Sequence, residues 1–167
     1  MKKYFLSASL FLFFLFIPLA VQAEYITLYP ADFVSLGYND PYVQSASRIY
    51  VESGSSTNQF FIAPLHLPEG ARITGVTVYY YDNSPKTLYA WIFREKLYDT
   101  QQLSSTVCTW SSSGASDSFR NSTTYNVDWS LNRVRNASAI FTVEIGFPNG
   151  GDGYNLRFIC IKVRYRM

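Results

Sequence analysis

The sequence predicts an all-β protein, a single domain of antiparallel strands behind an N-terminal leader. Three observations predict it. Short runs rich in Val, Ile, Thr, Tyr and Phe recur along the chain, they alternate in character, and clusters of Gly, Pro, Asn and Asp separate them. Of the 167 residues, no segment carries a convincing capped helical stripe; 128–136 is the one place for a short helical turn. Several short strands at this spacing read as a sandwich or a barrel.

The elements follow in order. Met1-Lys2-Lys3, the apolar run 4–20 and the small-residue ending Val21-Gln22-Ala23 form the three parts of a secretory signal peptide, 1–23. The apolar run is at the short limit of a membrane span and Pro18 interrupts it, so cleavage rather than anchoring is expected. The folded domain is then 24–167, secreted or periplasmic, with no membrane span after cleavage. Strands are expected near 25–29, 44–51, 59–62, 72–81, 87–98, 103–110, 118–127, 138–147 and 155–166. Turn chemistry lies between them at 37–41, 53–56, 67–70, 82–85, 111–114 and 148–153.

The clearest expected hairpin is 74–81 returning through 87–93. Alternation puts Val76, Val78 and Tyr80 on one face of the first strand, and Leu88, Ala90 and Ile92 on one face of the second. An odd loop, 82–86, joins these two sets into an aliphatic core face. It leaves Tyr79, Tyr81, Tyr89, Trp91 and Phe93 together on the opposite face. A one-residue slip would flip the arrangement, and this register is preferred because it separates aliphatic from aromatic side chains.

Charge excludes some partners. Fourteen Lys+Arg face 12 Asp+Glu, and Lys2 and Lys3 in the leader account for the excess, so the exported chain is formally neutral. That argues against nucleic acid as a partner, because such binding rests on neutralising phosphates. The composition, 48% hydrophobic and 16% charged, argues against disorder. Cys108 and Cys160 leave two readings open in an oxidising compartment. One is a disulfide, worth about 4 kcal/mol in the chain-entropy model; the other is a pair of buried free thiols.

The run from Ala63 to Asn83 contains a Pro-x-His-Leu-Pro-x-Gly-Ala turn and then a strand ending Tyr79-Tyr80-Tyr81-Asp82-Asn83. It resembles a pattern in a group of uncharacterised bacterial secreted β-sandwich proteins. Tyr29-Pro30-Ala31-Asp32-Phe33, the stretch 111–116 and the closing Leu156-Arg157-Phe158 with Val163-Arg164-Tyr165 are similar in order and spacing. The resemblance implies a compact jelly-roll-like sandwich and no particular activity. The chain departs from the pattern at Trp91, Phe93 and the two cysteines.

Candidate chemistry is sparse. His66 is the single histidine, and the resemblance accounts for it as part of a structural motif; nucleophile, base and orienter cannot be assembled around it. No serine stands in a Gly-x-Ser-x-Gly elbow, no Cys/His spacing suggests zinc, and no acidic loop matches a calcium site, so no cofactor or metal is expected. Lys162, Arg164 and Arg166 alternate, hence share one face, as a solvated stripe, edge protection or a surface for anionic polymer.

The aromatic set Tyr79, Tyr81, Tyr89, Trp91 and Phe93 is the one site with a mechanism. Its rings have apolar faces that stack on sugars, and polar tips on Tyr and Trp. The expectation is a secreted non-enzymatic module binding glycan or cell-surface polymer there. The alternatives are a structural subunit that buries the same face in a homo-oligomer, a second layer of core, and, last, a hydrolase.

Overall fold

The computed structural model describes residues 23–36, 41–54, 57–97, 104–148 and 150–167. All of the expected leader except Ala23 lies outside them, as do parts of the expected turns at 37–41, 53–56 and 148–153 and of the strands at 87–98 and 103–110. The described strands are β1 (Glu24–Leu28), β2 (Val34–Ser35), β3 (Tyr42–Ser45), β4 (Arg48–Val51), β5 (Gln59–Pro64), β6 (Arg72–Asp82), β7 (Tyr89–Lys96), β8 (Ser105–Ser111), β9 (Ser116–Thr124), β10 (Ala139–Phe147) and β11 (Leu156–Arg166). Short 3-10 turns occupy Pro30–Asp32 and Gly153–Asn155.

Two antiparallel sheets pack face to face. One runs β3-β4-β11-β6-β9, with β1 also on β11; the other runs β2-β5-β10-β7-β8. The order 4-11-6-9 opposite 5-10-7-8 is jelly-roll connectivity, in which successive strands keep crossing between sheets. The expected segment 44–51 is itself a tight hairpin, β3 and β4, turning at Ala46-Ser47, and the stretch 128–136 forms turns rather than a helix.

Alternation places the core. β6 sends Val76, Val78 and Tyr80 inward, β7 sends Ala90 and Ile92, and β10 sends Phe141, Val143, Ile145 and Phe147; all are buried. β11 contributes Phe158, Ile161 and Val163, with an irregularity between Phe158 and Cys160 where its register with β6 shifts by one residue. Tyr80 meets Trp110 edge-on at 4.9 Å, and the Trp110 indole Nε1–H donates to Ser122 Oγ at 2.7 Å. A buried indole needs such an acceptor, so this bond fixes the ring between the sheets.

The expected hairpin of 74–81 with 87–93 does not form. β6 lies between β11 and β9, whereas β7 lies between β10 and β8 in the other sheet. The chain from Asp82 to Leu88 is a corner that carries it across the sandwich. Asp82 Oδ1 accepts from Ser84 N–H at 3.2 Å, and Ser84 Oγ accepts from Lys86 N–H at 3.0 Å. One end is tied by Asn83 N–H to the Asn155 carbonyl (2.7 Å), the other by a two-way bond between Leu88 and Ser112. Turn-forming residues close local loops equally well in a hairpin or in a corner. The two aliphatic sets do both face the core, but from opposite walls.

Candidate functional site

The corner divides the expected five-residue aromatic face. Tyr89, Trp91 and Phe93 point outward from the β7 sheet, while Tyr79 and Tyr81 point outward from the β6 sheet, on the other broad side of the sandwich. The correction follows from topology: consecutive strands in different sheets turn their outer faces in opposite directions.

On the β7 side, the rings form a cleft. Register sets Gly146 of β10 directly beside both Phe60 of β5 and Tyr89 of β7, and sets Glu144 beside Trp91. A side chain on Gly146 would meet Trp91 Cζ3 at 2.5 Å and Phe60 Cε1 at 2.9 Å, so the indole occupies the space over the bare glycine. Tyr89 stacks on Trp91 with centroids 5.3 Å apart and planes 6° from parallel, and Phe60 tilts against the same indole at 6.2 Å. Trp91, Tyr89 and Phe93 are partly exposed.

The resulting cleft holds about 520 Å3 and is bounded by these rings, Glu144, Pro148 and the corner residues Pro85, Lys86 and Thr87. Burial raises the pKa of the Glu144 carboxyl, because desolvation disfavours its charge. Lys86 Nζ donates to the Gly151 carbonyl at 2.8 Å, which holds one rim.

The β6 side has a different character. Arg157 lies over Tyr81 at 4.1 Å, Lys162 over Tyr79 at 5.1 Å, Arg164 over Tyr125 at 5.8 Å and Arg166 over Trp129 at 6.0 Å. Lys162, Arg164 and Arg166 share a face as their spacing predicts, and each covers a ring. Cation–π contacts of this kind contribute about 0.5–1 kcal/mol at exposed sites. Tyr79 and Tyr81 are therefore engaged by cations rather than open as a neutral platform.

Cys108 of β8 and Cys160 of β11 are buried free thiols on different sheets. The two are not bonded to each other in this structure. Burial raises the pKa of the Cys108 thiol to about 11. His66 is exposed between buried Leu65 and Leu67, so those leucines, not the imidazole, anchor the turn. Among the described residues no group of three His, Cys, Asp or Glu side chains is placed to hold a metal ion.

Phe60, Glu144 and Gly146 belong to the cleft and were not anticipated. Alternation within 59–64 sets Phe60 opposite Phe61, but its neighbourhood depends on β5 and β7 flanking β10.

The fold and these faces define a jelly-roll sandwich with one aromatic cleft and one aromatic-cationic side. No family model matches the chain, and no curated protein matches it. Solved structures are similar in fold. A family 35 carbohydrate-binding module from Clostridium thermocellum is 13% identical, with 84% of this chain and 97% of that one covered and a TM-score of 0.45. The CBM22-2 xylan-binding domain of Paenibacillus barcinonensis Xyn10C is 11% identical, with 84% and 98% covered and a TM-score of 0.48. The CBM22-1-GH10 modules of a Clostridium thermocellum endo-1,4-β-D-xylanase are 11% identical, with 87% of this chain but 28% of that longer one covered and a TM-score of 0.49. Among the described residues no helix is long and apolar enough to cross a membrane.

Proposed function

We propose that this is an exported, non-catalytic module that binds a glycan chain in the cleft on the β7 sheet. The observation that carries the proposal is the parallel Tyr89–Trp91 pair lying beside Glu144 in an open cleft. The rings offer flat apolar surface to the C–H faces of sugars, while one carboxylate and the corner backbone can take their hydroxyl groups. Among the described residues Glu144 is the one acid lining the cleft. Glycoside hydrolysis ordinarily uses two positioned carboxyl groups, so the arrangement suits holding a glycan rather than cleaving it. The leader sequence supports export, and the resemblance to bacterial secreted sandwich proteins is consistent with it.

A glycan array followed by affinity electrophoresis on the retained polysaccharides tests the proposal. Binding is expected to be lost in Trp91→Ala and kept in Tyr79→Ala, which alters the other side. Binding that survives Trp91→Ala, or no binding to any glycan, overturns it. A concentration-dependent dimer that Trp91→Ala dissolves would instead assign the cleft to self-association.

A further inference from the structure

At the end of the sandwich where β6 begins and β7 and β11 finish, a pocket of about 320 Å3 is lined by Arg72, Arg94, Arg133, Arg135, Trp129 and Ser130. A fifth guanidinium, that of Arg166, lies 6.0 Å from the Trp129 ring centre. The cations are crowded by the backbone itself. Arg72 is the ladder partner of Arg166 and also the antiparallel bridge partner of Arg133, so three arginines stand abreast. Like charges directly opposite one another on a sheet repel and destabilise it.

Among the described residues no ion pair answers those charges. None of the five guanidinium groups has a carboxylate partner there. Of the acids near these arginines along the chain, Asp128 accepts from the Ser130 N–H at 2.8 Å and its hydroxyl at 2.6 Å, Glu69 accepts from Asn136 N–H at 2.6 Å, and Glu95, next to Arg94, lines a different pocket with Lys96, Leu97 and Ile140. Five arginines from both sheets and one loop thus gather around a single hollow, none of them paired with a carboxylate among the described residues. Local conflicts of this kind mark functional sites in otherwise self-consistent folds.

We propose that this pocket binds the oxyanion substituent of an acidic saccharide: a carboxylate, sulfate or phosphate carried on a sugar ring. The planar guanidinium fork matches such oxyanions with paired hydrogen bonds, and several forks converge here. Trp129, 59% exposed at the rim, supplies a flat face for the ring that carries the charge. A flat anionic membrane would meet a spread of cations; these converge on a hollow the size of one charged sugar. The site is separate from the β7 cleft and does not depend on it.

The test is titration of the purified protein with polygalacturonate, heparin, inorganic sulfate, neutral xylan and vesicles of phosphatidylglycerol, followed by Trp fluorescence and calorimetry. At least one acidic polysaccharide is expected to bind, more weakly as salt rises. Arg72→Gln and Arg133→Gln should each weaken that binding about tenfold or more, with no fall in melting temperature, since each removes a repulsive neighbour. Trp129→Ala should weaken the polysaccharide but not sulfate, and Trp91→Ala should change neither. Failure of both acidic polymers to bind, binding indifferent to Arg72→Gln and Arg133→Gln, or binding to vesicles without polysaccharide overturns the proposal. Loss of xylan binding alone would bear only on the β7 cleft.

Discussion

Gly146→Ala gives a signed test of the aromatic cleft. Gly146 is a strand glycine outside the positive-φ set, so its backbone accepts an L side chain. On entropy alone the substitution would stabilise the fold by about 0.4–1 kcal/mol. The added methyl, however, would sit 2.5 Å from Trp91 Cζ3 and 2.9 Å from both Trp91 Cη2 and Phe60 Cε1. Ordinary contact begins at 3.4 Å, so the indole must retreat by roughly 0.9 Å, the difference between the two distances. Overpacking costs about 1–3 kcal/mol, and the net expectation is a loss of about 1 kcal/mol. The cause is isolated by a double-mutant cycle. In a Trp91→Ala background the nearer obstacle is gone and only Phe60 Cε1, at 2.9 Å, must still shift, so Gly146→Ala should cost clearly less than in the parent, with a coupling of about 1–2 kcal/mol. Urea unfolding followed by far-UV circular dichroism reads all four proteins. A Gly146→Ala protein more stable than its parent, or additive effects, would refute the placement of the ring.

Two further predictions concern ionisation. The Glu144 pKa stands above its usual 4.5 because of burial, so its contribution to stability is whole below pH 4.5 and is lost as pH rises through the higher folded value. Glu144→Gln should therefore be more stable than the parent at pH 7, by a few tenths of a kcal/mol because solvent still reaches the group. The gain should vanish below pH 4.5 in melts across pH, while glycan binding weakens at neutral pH; a pH-independent difference would contradict the stated cause. Cys108, raised from 9.0 to about 11 by desolvation, contributes stability that is whole below pH 9 and is lost as pH rises through about 11. At pH 8 it should react with a thiol reagent only as fast as the protein opens, and labelling should speed up in urea; immediate labelling without denaturant would contradict its burial.

Most of the strand positions along the chain were legible because each strand states its own periodicity. The runs 72–81, 138–147 and 155–166 are visible as strands, and alternation fixes the inward face of 74–81 through Val76, Val78 and Tyr80; along 155–166 the irregularity between Phe158 and Cys160 shifts the alternation. The cationic stripe of β11 was legible for the same reason: Lys162, Arg164 and Arg166 need only period two to share a side. The aromatic cleft was only half legible. Tyr89, Trp91 and Phe93 share a face by alternation, but whether Tyr79 and Tyr81 join them depends on the sheet that each strand enters. That is decided by β11 and β9 flanking β6 and by β10 and β8 flanking β7. No property of the 82–88 segment separates a hairpin from a corner. The arginine pocket was hidden likewise, since Arg72 and Arg133 meet through a single bridge between distant segments.

The pairing of β1 with β11 has a mechanical consequence. Glu24 lies opposite Tyr165, and the Tyr165 hydroxyl donates to Glu24 Oε2 at 2.5 Å, so the start of β1 and the end of β11 lie at the same end of the fold. Ladder bonds of an antiparallel pair run across the strands. Traction applied at Glu24 and Arg166 would therefore load them one after another and peel β1 away like a zip, with little resistance. Tension arriving at Arg166 alone would pass into the body of the sandwich, where β6 and β4 also hold β11.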